Sequence, residues 1–212
     1  MSLRIKVCGI TRLQDALAAV EAGVDAVGFN FAPASPRRID PDAARAIAAA
    51  LPPYVVRVGV FVDAVPVLLE ETLRHAGLHV AQLHGDEEPG ICGALRVPWY
   101  KAHRVGADFD PEGIRRYGTG AFLLDTAAGG TAGGTGRTFD WKVARRAAAM
   151  GPVILAGGLT PENVAAAIES ARPWAVDVNS GVESAPGVKD GARLADFVRR
   201  ARAAATRLEV TA

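Results

Sequence analysis

The chain has 212 residues, half of them apolar, which is enough for one large hydrophobic core and too little for two comfortable domains. Its 24 basic and 23 acidic residues give a net charge of +1. This balance lacks the excess of positive charge that is typical of proteins that bind nucleic acid or an anionic membrane. The N-terminal stretch MSLRIKVCGI lacks a signal-peptide apolar segment, and no apolar run is long enough to span a bilayer. We therefore expect a cytoplasmic protein without nucleic-acid or membrane partners.

Short apolar, β-branched runs alternate with Ala-rich amphipathic stretches along the whole chain. In chain order the runs are IKVC, AVGFNF, VRVGVF, VAQLH, WYKAH, FLLD, VILAG and AVDVNS. Each is followed by a turn signal and then by a predicted helix. Eight such units predict parallel strands joined by crossover helices, and the simplest closure is a (β/α)8 barrel, the TIM-barrel architecture, as one domain over residues 1–212. A doubly wound open sheet is the alternative, because strand order cannot be read from one sequence.

Capping side chains and early prolines predict where the helices begin, and glycine or proline predicts where they end. The predicted starts are Thr11, Asp40 with Pro41, Asp63, Asp140, and Thr160 with Pro161. The fourth helix, within DEEPGICGAL, is the weakest, because a proline and two glycines interrupt it.

Polar residues stand at the C-terminal end of the predicted strands. They are Cys8, Asn30, Asp63, His84, His103, Asp125, Gly157 with Gly158, and Asn179 with Ser180. Parallel strands bring these ends to one rim, which carries the active site in barrels of this kind. Strand ends are also polar simply because strands stop there, and a cap such as Asp63 means no more than that.

Neither a metal site nor a disulfide is predicted. Cys8 and Cys92 lie far apart in sequence, with none of the spacings of a disulfide framework or a zinc site. His75 and His79 are four residues apart, but Gly77 lies between them near a helix end, so we interpret the pair as incidental. Unpaired cysteines fit a reducing cytoplasm.

Cys8 has two interpretations. A cysteine in a strand is more often an inert apolar filler than a reagent. However, this thiol stands at the rim, before a predicted helix N-terminus whose dipole favours a thiolate, and Gly9 lets the backbone turn away without covering the sulfur. From these residues alone, the inert and the reactive interpretation both stay open.

Asp125 ends the run FLLD, so its carboxyl is expected to be partly desolvated. Desolvation raises the pKa of a carboxyl group, which suits a proton donor. The glycine-rich loop that follows is not a Walker A motif, because Arg137 rather than lysine follows Gly136 and the upstream glycine is missing. It is either a flexible surface loop or a lid over the substrate.

Two glycine-containing strand ends, in ILAGGLTPENV and DVNSGVE, belong to the seventh and eighth units. Barrels commonly bind phosphate with the loops after these two strands, through backbone N–H groups and a short helix N-terminus. Glycine lets an anion approach the backbone closely. The pair of loops predicts a single phosphate site.

The segments KVCGIT, GFNFAPASPRRI, VGVFVD, VAQLHGDE, LLDTAAGGTAGGTGRTFDW, ILAGGLTPENV and DVNSGVE occur in an order and spacing that resemble the phosphoribosylanthranilate isomerase family over nearly the full chain. Only Asn30 and the segment FAPAS depart from the family pattern, in a region where that pattern is loose. The resemblance implies an Amadori rearrangement of N-(5'-phosphoribosyl)anthranilate, a phosphorylated small molecule, in tryptophan biosynthesis and without a cofactor.

The resemblance also implies residue roles. Asp125 would protonate the ribose ring oxygen, and Cys8, as thiolate, would remove the proton from C2'. Arg37 would bind the anthranilate carboxylate, for which the planar guanidinium fork is suited, with Arg38 as the weaker choice. His84 would either line the aromatic end of the pocket or cap its strand. The phosphate would be held by Gly157, Gly158, Ser180 and Gly181.

Two alternatives of function remain open at this point. A sister isomerase family of histidine biosynthesis binds two phosphates at glycine-rich loops in both barrel halves and uses an acidic residue where Cys8 stands. The segment VRVGVF in the first half here has a lone Gly59 and no Gly-Gly pair. A non-catalytic barrel that binds a phosphate ligand is the second alternative, because one fold carries many different functions. The sequence does not decide between a monomer and a homodimer.

Strand alternation gives one structural expectation. If Cys8 points into the barrel mouth, Lys6 points inward one layer deeper, where a charge needs a partner. Strand eight would neighbour strand one on closure and carries Asp177. We therefore predict a buried Lys6–Asp177 pair or a polar network that contains both.

Overall fold

A computed structural model describes residues 3–126 and 139–210. Eight parallel strands close into a barrel in chain order, with β1 paired to both β2 and β8. They are β1 (Arg4–Val7), β2 (Ala26–Asn30), β3 (Val56–Phe61), β4 (Val80–Leu83), β5 (Trp99–Val105), β6 (Phe122–Thr126), β7 (Val153–Leu155) and β8 (Ala175–Val178). The predicted (β/α)8 closure is confirmed, and the open-sheet alternative is wrong.

Helices cover the outside of the barrel. They are α1 (Leu13–Glu21), α2 (Pro41–Ala49), α3 (Pro66–Ala76), α4 (Pro89–Gly93), α5 (Trp141–Ala147), α6 (Val164–Ala171) and α7 (Gly191–Val210). The fifth unit departs from the prediction, because a 3-10 helix over Pro111–Tyr117 stands in place of an α-helix. The expected weakness of the fourth helix is confirmed, since α4 has only five residues. No helix within the described ranges is long and apolar enough to cross a membrane.

Some predicted helix starts hold and others do not. Asp40 and Asp140 accept hydrogen bonds from backbone N–H groups two residues on, as N-caps do. Thr11 and Asp63 are not caps: α1 begins after Arg12 and α3 after Val65. The side chains of Thr11 and Asp63 instead form hydrogen bonds with neighbouring loops.

The Thr11 hydroxyl donates to the carbonyl of Gly187, and Asp63 accepts from the N–H of Asp86. The sixth helix also starts later than predicted, because Thr160 accepts from the N–H of Glu162 in a preceding turn. In all three cases, a polar side chain near the rim forms a hydrogen bond in a loop or turn instead of capping a helix.

After β8 the chain forms a short 3-10 helix, Ser180–Val182, and then a two-stranded hairpin of β9 (Glu183–Ala185) and β10 (Val188–Lys189). The hairpin brings Glu183 and Lys189 back to the carboxyl ends of the barrel strands. Lys189 Nζ donates to the backbone carbonyl and the side chain of Asn179, which follows β8. The hairpin thus completes one side of the barrel mouth.

The barrel interior is apolar at its floor and polar above it. The apolar layer contains Val58, Tyr100, Ala102, Leu123, Ile154, Ala156 and Ala175. Lys6 and Asp177 are partners in the β1–β8 register, and Lys6 Nζ lies 2.5 Å from Asp177 Oδ2, with both side chains buried. The predicted buried pair is therefore confirmed.

Candidate active site

A cavity of about 470 Å³ opens at the carboxyl ends of the barrel strands. It is lined by Cys8, Asn30, Ala32, Pro33, Ala34, Ser35, Arg37, Val60, Val62, Gln82, His84, Arg104, Asp125, Thr126, Ala156, Gly157, Gly158, Leu159, Asp177, Asn179 and Ser180. Seven of the eight residues predicted from the sequence for the site are in this lining. The eighth, Gly181, is not.

Cys8 follows β1 and lines the cavity, with 6% of the residue exposed. A Cβ atom added to Gly28, on the neighbouring strand β2, would lie 2.8 Å from Cys8 Sγ and 3.2 Å from Lys6 Nζ. The thiol and the ammonium group thus flank the same glycine. Gly9 has a positive φ of 72°, and an added Cβ there would lie 2.7 Å from Arg37 Cδ, so only glycine fits this turn.

The pKa of the Cys8 thiol is shifted in the direction opposite to the one expected from the sequence. Burial raises the pKa of its thiol, and the positive charges of Lys6 and Lys189 oppose that shift without overcoming it. The predicted support from a helix dipole is wrong, because α1 starts only at Leu13, five residues further on. The groups that favour a thiolate here are the two lysines.

Asp125 lies in β6 across the cavity, and it is paired with His84. His84 Nε2 lies 3.2 Å from Asp125 Oδ2, and both side chains are mostly buried, 23% and 17% exposed. His84 Nδ1 lies 2.8 Å from Nε2 of Gln82. An added Cβ on Gly157 would lie 2.7 Å from Asp125 Oδ1, so this second oxygen faces the loop after β7.

Arg37 lies in the loop after β2 and lines the cavity. Arg38 is exposed and does not line the cavity. Nε and Nη2 of Arg37 donate to Glu183, at 2.9 Å and 2.7 Å, in a side-on bidentate pair. Glu183 also accepts from Lys189 Nζ at 2.8 Å. Two cations therefore share one buried carboxylate, and this contact fixes the orientation of the guanidinium plane.

The glycines after β7 adopt left-handed backbone conformations, with φ of 86° at Gly157 and 65° at Gly158. Ser180 opens the 3-10 helix after β8 and lines the cavity beside them. Gly181 is packed beneath the backbone of Leu159, which an added Cβ would overlap. The absence of a side chain at Gly181 therefore lets the loops after β7 and β8 make close backbone contact.

Several cavity residues were missed from the sequence. Gln82 lies two residues before His84 and Arg104 two residues after Ala102, so period-2 alternation was the signal that could have found both. His103 was wrongly assigned to the rim. Strand β5 continues to Val105, which turns His103 outward.

His103 packs among aromatic rings, with its own ring centroid 5.1 Å from that of Tyr117. Burial there, followed by the positive charge of Lys101, lowers the pKa of His103 to about 4. This histidine is therefore neutral at physiological pH and belongs to the packing between β5 and the 3-10 helix.

The two histidines of the third unit have separate partners. His75 pairs with Asp42, at 2.6 Å, and His79 contacts Arg57. Across residues 3–126 and 139–210, no group of three or more His, Cys, Asp or Glu side chains could hold a metal ion. The glycine-rich loop that was considered as a lid, residues 127–138, lies outside the described residues.

Comparison with known proteins gives consistent matches. The family model for N-(5'phosphoribosyl)anthranilate (PRA) isomerase matches residues 5–200. An N-(5'-phosphoribosyl)anthranilate isomerase of Geobacter sulfurreducens is 50% identical over 200 residues, which cover 94% of this chain and 98% of the relative.

Solved structures agree with these sequence matches. A phosphoribosyl anthranilate isomerase in complex with reduced 1-(o-carboxyphenylamino)-1-deoxyribulose 5-phosphate is 41% identical, with a TM-score of 0.86 over 95% of this chain and 99% of the other. Monomers generated from the dimeric enzyme of Thermotoga maritima are 40% identical, with a TM-score of 0.83 over the same shares of the two chains.

Proposed function

The chain belongs to the N-(5'-phosphoribosyl)anthranilate isomerase family, and from that premise we propose that Cys8 and Asp125 carry the proton transfers of its reaction. The protein is an isomerase of tryptophan biosynthesis that converts N-(5'-phosphoribosyl)anthranilate into 1-(2-carboxyphenylamino)-1-deoxyribulose 5-phosphate. The observation that carries the residue assignment is that one thiol and one carboxyl line the same cavity at the barrel mouth.

The chemistry needs one acid and one base. Asp125 gives a proton to the ribose ring oxygen, and the C1'–O bond breaks to leave a Schiff base between C1' and the anthranilate nitrogen. Cys8, as thiolate, then removes the proton from C2', and the electron pair moves into the C1'–C2' bond to form an enolamine. The enolamine tautomerises to the ketone by gaining a proton at C1' and losing the one on the C2' oxygen. No electrons leave the substrate, so the proposed reaction uses no cofactor.

Arg37 is proposed to bind the anthranilate carboxylate. A guanidinium has two edges that can each make a bidentate contact, and Glu183 takes the Nε–Nη2 edge. The Nη1–Nη2 edge is the one that can meet a second carboxylate. Because Glu183 holds the plane in place, little side-chain entropy is lost when the substrate binds.

The phosphate is proposed to bind at the loops after β7 and β8. Gly157 and Gly158 have the left-handed backbone that lets successive N–H groups converge on an anion, and Ser180 adds a hydroxyl. Gly181 supports this site from below through its contact with Leu159. His84 is proposed to act through its contact with Asp125, instead of only capping its strand.

The remaining assignments follow the same proposal. We propose one catalytic domain over residues 1–212, active in the cytoplasm, where the free thiols of Cys8 and Cys92 are maintained. The dimeric Thermotoga maritima relative and its monomeric variants support a monomer or homodimer for this chain. With a net charge of +1, neither nucleic acid nor a membrane surface is proposed as a partner.

The test is the loss of phosphoribosylanthranilate fluorescence when purified protein is added to substrate generated in a coupled assay. The aminoaldose substrate of the sister isomerase of histidine biosynthesis is the control. Gly59, the lone glycine of the segment VRVGVF, packs against Phe61 and Leu78, which favours a single phosphate site. Turnover of the histidine-pathway substrate alone would overturn the proposal, and turnover of neither would support a binding protein.

A further inference from the structure

Gln82 of β4 is buried, 1% exposed, and lines the cavity next to the Lys6–Asp177 pair. Its carboxamide touches the acid side of the site through His84 and the base side through Lys6. We propose that Gln82 is a positioning residue that fixes the tautomer of His84 and thereby selects which oxygen of Asp125 gives up its proton. This inference rests on the proposed function of Asp125.

The orientation of the carboxamide follows from its partners. Lys6 Nζ lies 3.0 Å from Gln82 Oε1, and the Tyr100 hydroxyl donates to the same oxygen at 2.8 Å. A lysine ammonium can only donate, so the atom facing it must be the carbonyl oxygen. The NH₂ group of Gln82 must then point the other way, towards His84.

The tautomer of His84 follows in turn. Because Gln82 Nε2 donates to His84 Nδ1, that ring nitrogen must carry a lone pair, and the ring proton is on Nε2. Nε2–H is then the donor to Asp125 Oδ2. The tautomer of His84 is thus set by Lys6 through the side-chain amide of Gln82, which lies 76 residues after Lys6 in the sequence.

A cationic His84 does not fit this arrangement. An imidazolium would carry a hydrogen on Nδ1, pointing at the NH₂ group of Gln82. Rotating the amide would relieve that clash but would turn its NH₂ group towards Lys6, leaving the buried ammonium without this acceptor. Arg104, which contacts the His84 carbonyl from β5, adds positive charge beside the ring, whereas Asp125 and Asp177 add negative charge.

The consequence for Asp125 concerns its two oxygens. Oδ2 accepts from His84 in either protonation state of the carboxyl, so the transferable proton is left to Oδ1. Oδ1 is the oxygen that faces Gly157 and the proposed phosphate loop. The ribose, which carries the phosphate, must therefore offer its ring oxygen on that side.

The experiment combines NMR and kinetics on the full chain. Nitrogen-15 NMR of the histidine rings in the wild-type protein, with His84→Asn used to assign the resonance, should show His84 as the neutral Nε2–H tautomer. In Gln82→Glu, which keeps the shape but places an oxygen opposite Nδ1, this nitrogen should carry a proton. The kcat of Gln82→Glu should fall about tenfold or more, with KM little changed. This is less than the 10²–10⁴-fold rate enhancement that general acid catalysis typically contributes, because the acid itself is still present.

Gln14→Glu is the matched control, since it makes the same chemical change on the exposed face of α1 and should leave the His84 spectrum and kcat at wild-type values. An Nδ1–H tautomer in the wild type overturns the inference, even if Gln82→Glu does not fold. An unchanged kcat in a folded Gln82→Glu also overturns it. Neither result affects the proposed function, which fails only if the wild type does not turn over phosphoribosylanthranilate.

Discussion

Lys6 Nζ and Asp177 Oδ2 lie 2.5 Å apart inside the barrel, on the two strands whose pairing closes it. Burial alone would lower the pKa of Lys6, but the carboxylate of Asp177 outweighs burial and raises that pKa above its ordinary value. The Lys6 ammonium is therefore charged at neutral pH, and the buried carboxylate of Asp177 is its counter-ion.

We predict that Lys6→Met destabilises the protein by about 3–5 kcal/mol, because it leaves a buried carboxylate without its cation. Lys6→Met combined with Asp177→Leu should recover most of this loss, since neither charge is then buried alone. Urea unfolding monitored by circular dichroism measures both. Glu112→Gln, which breaks an exposed pair with Arg115, should leave the midpoint nearly unchanged. Equal loss in the single and the double variant would contradict a coupled pair.

The barrel and its inward-facing residues could be predicted because they depend on local patterns. Period-2 alternation from Cys8 placed Lys6 in the interior, and closure in chain order then supplied Asp177. His103 was predicted at the rim because it ends the apolar run WYKAH, and this was wrong, because β5 continues to Val105 in its pairing with β6. Where one strand ends depends on its neighbours.

Contacts that join distant parts of the chain could not be predicted. Glu183 reaches Arg37 across 146 positions, on a hairpin that no turn signal singled out. The raised pKa of the Cys8 thiol likewise depends on burial beneath other strands and not on the helix that follows it. The residues that line the site could be predicted from the sequence, whereas the charged groups and the burial that set their pKa values could not.

Cys8→Ala should lower kcat by about 10²–10⁴, as expected when a general base is removed, with little effect on folding. Cys92→Ala is the control, because this second buried thiol lies in α4, away from the cavity. It should keep wild-type kcat. Full turnover by Cys8→Ala would mean that Cys8 serves only for packing.

The pH dependence of alkylation should report on the same thiol. Only the ionised thiol reacts with iodoacetamide, and burial raises the pKa of Cys8 above the ordinary 9.0, so the ionised fraction is small at neutral pH and grows as the pH rises. We predict that the rate of Cys8 alkylation in Cys92→Ala increases about tenfold per pH unit from pH 7 towards 9. An alkylation rate that does not change with pH over this range would contradict the raised pKa of Cys8.

Arg37→Ala should mainly raise KM. Loss of a charge-assisted bidentate contact costs about 1.5–3 kcal/mol, which corresponds to roughly ten- to 150-fold in KM. Arg38→Ala, a change at the exposed neighbour, should leave KM at its wild-type value. Steady-state kinetics with both variants make the comparison. A loss confined to kcat would show that Arg37 acts on the transition state and not on the bound substrate.

Gly157→Ala should impair both stability and turnover, and Gly77→Ala should impair stability alone. The two glycines have similar backbone strain for an L-residue, with φ of 86° and 64°, so each substitution should cost about 1–2 kcal/mol from this source. They differ in surroundings: a new Cβ at position 77 meets nothing within 4 Å, whereas one at 157 overlaps Thr126 and lies 2.7 Å from Asp125 Oδ1. The methyl at 157 therefore has to push the carboxyl off its position, and kcat should fall at least tenfold in addition to any rise in KM. Urea midpoints and kcat measured side by side separate the two contributions. If both variants lose the same stability and neither loses kcat, Asp125 does not depend on Gly157 for its position.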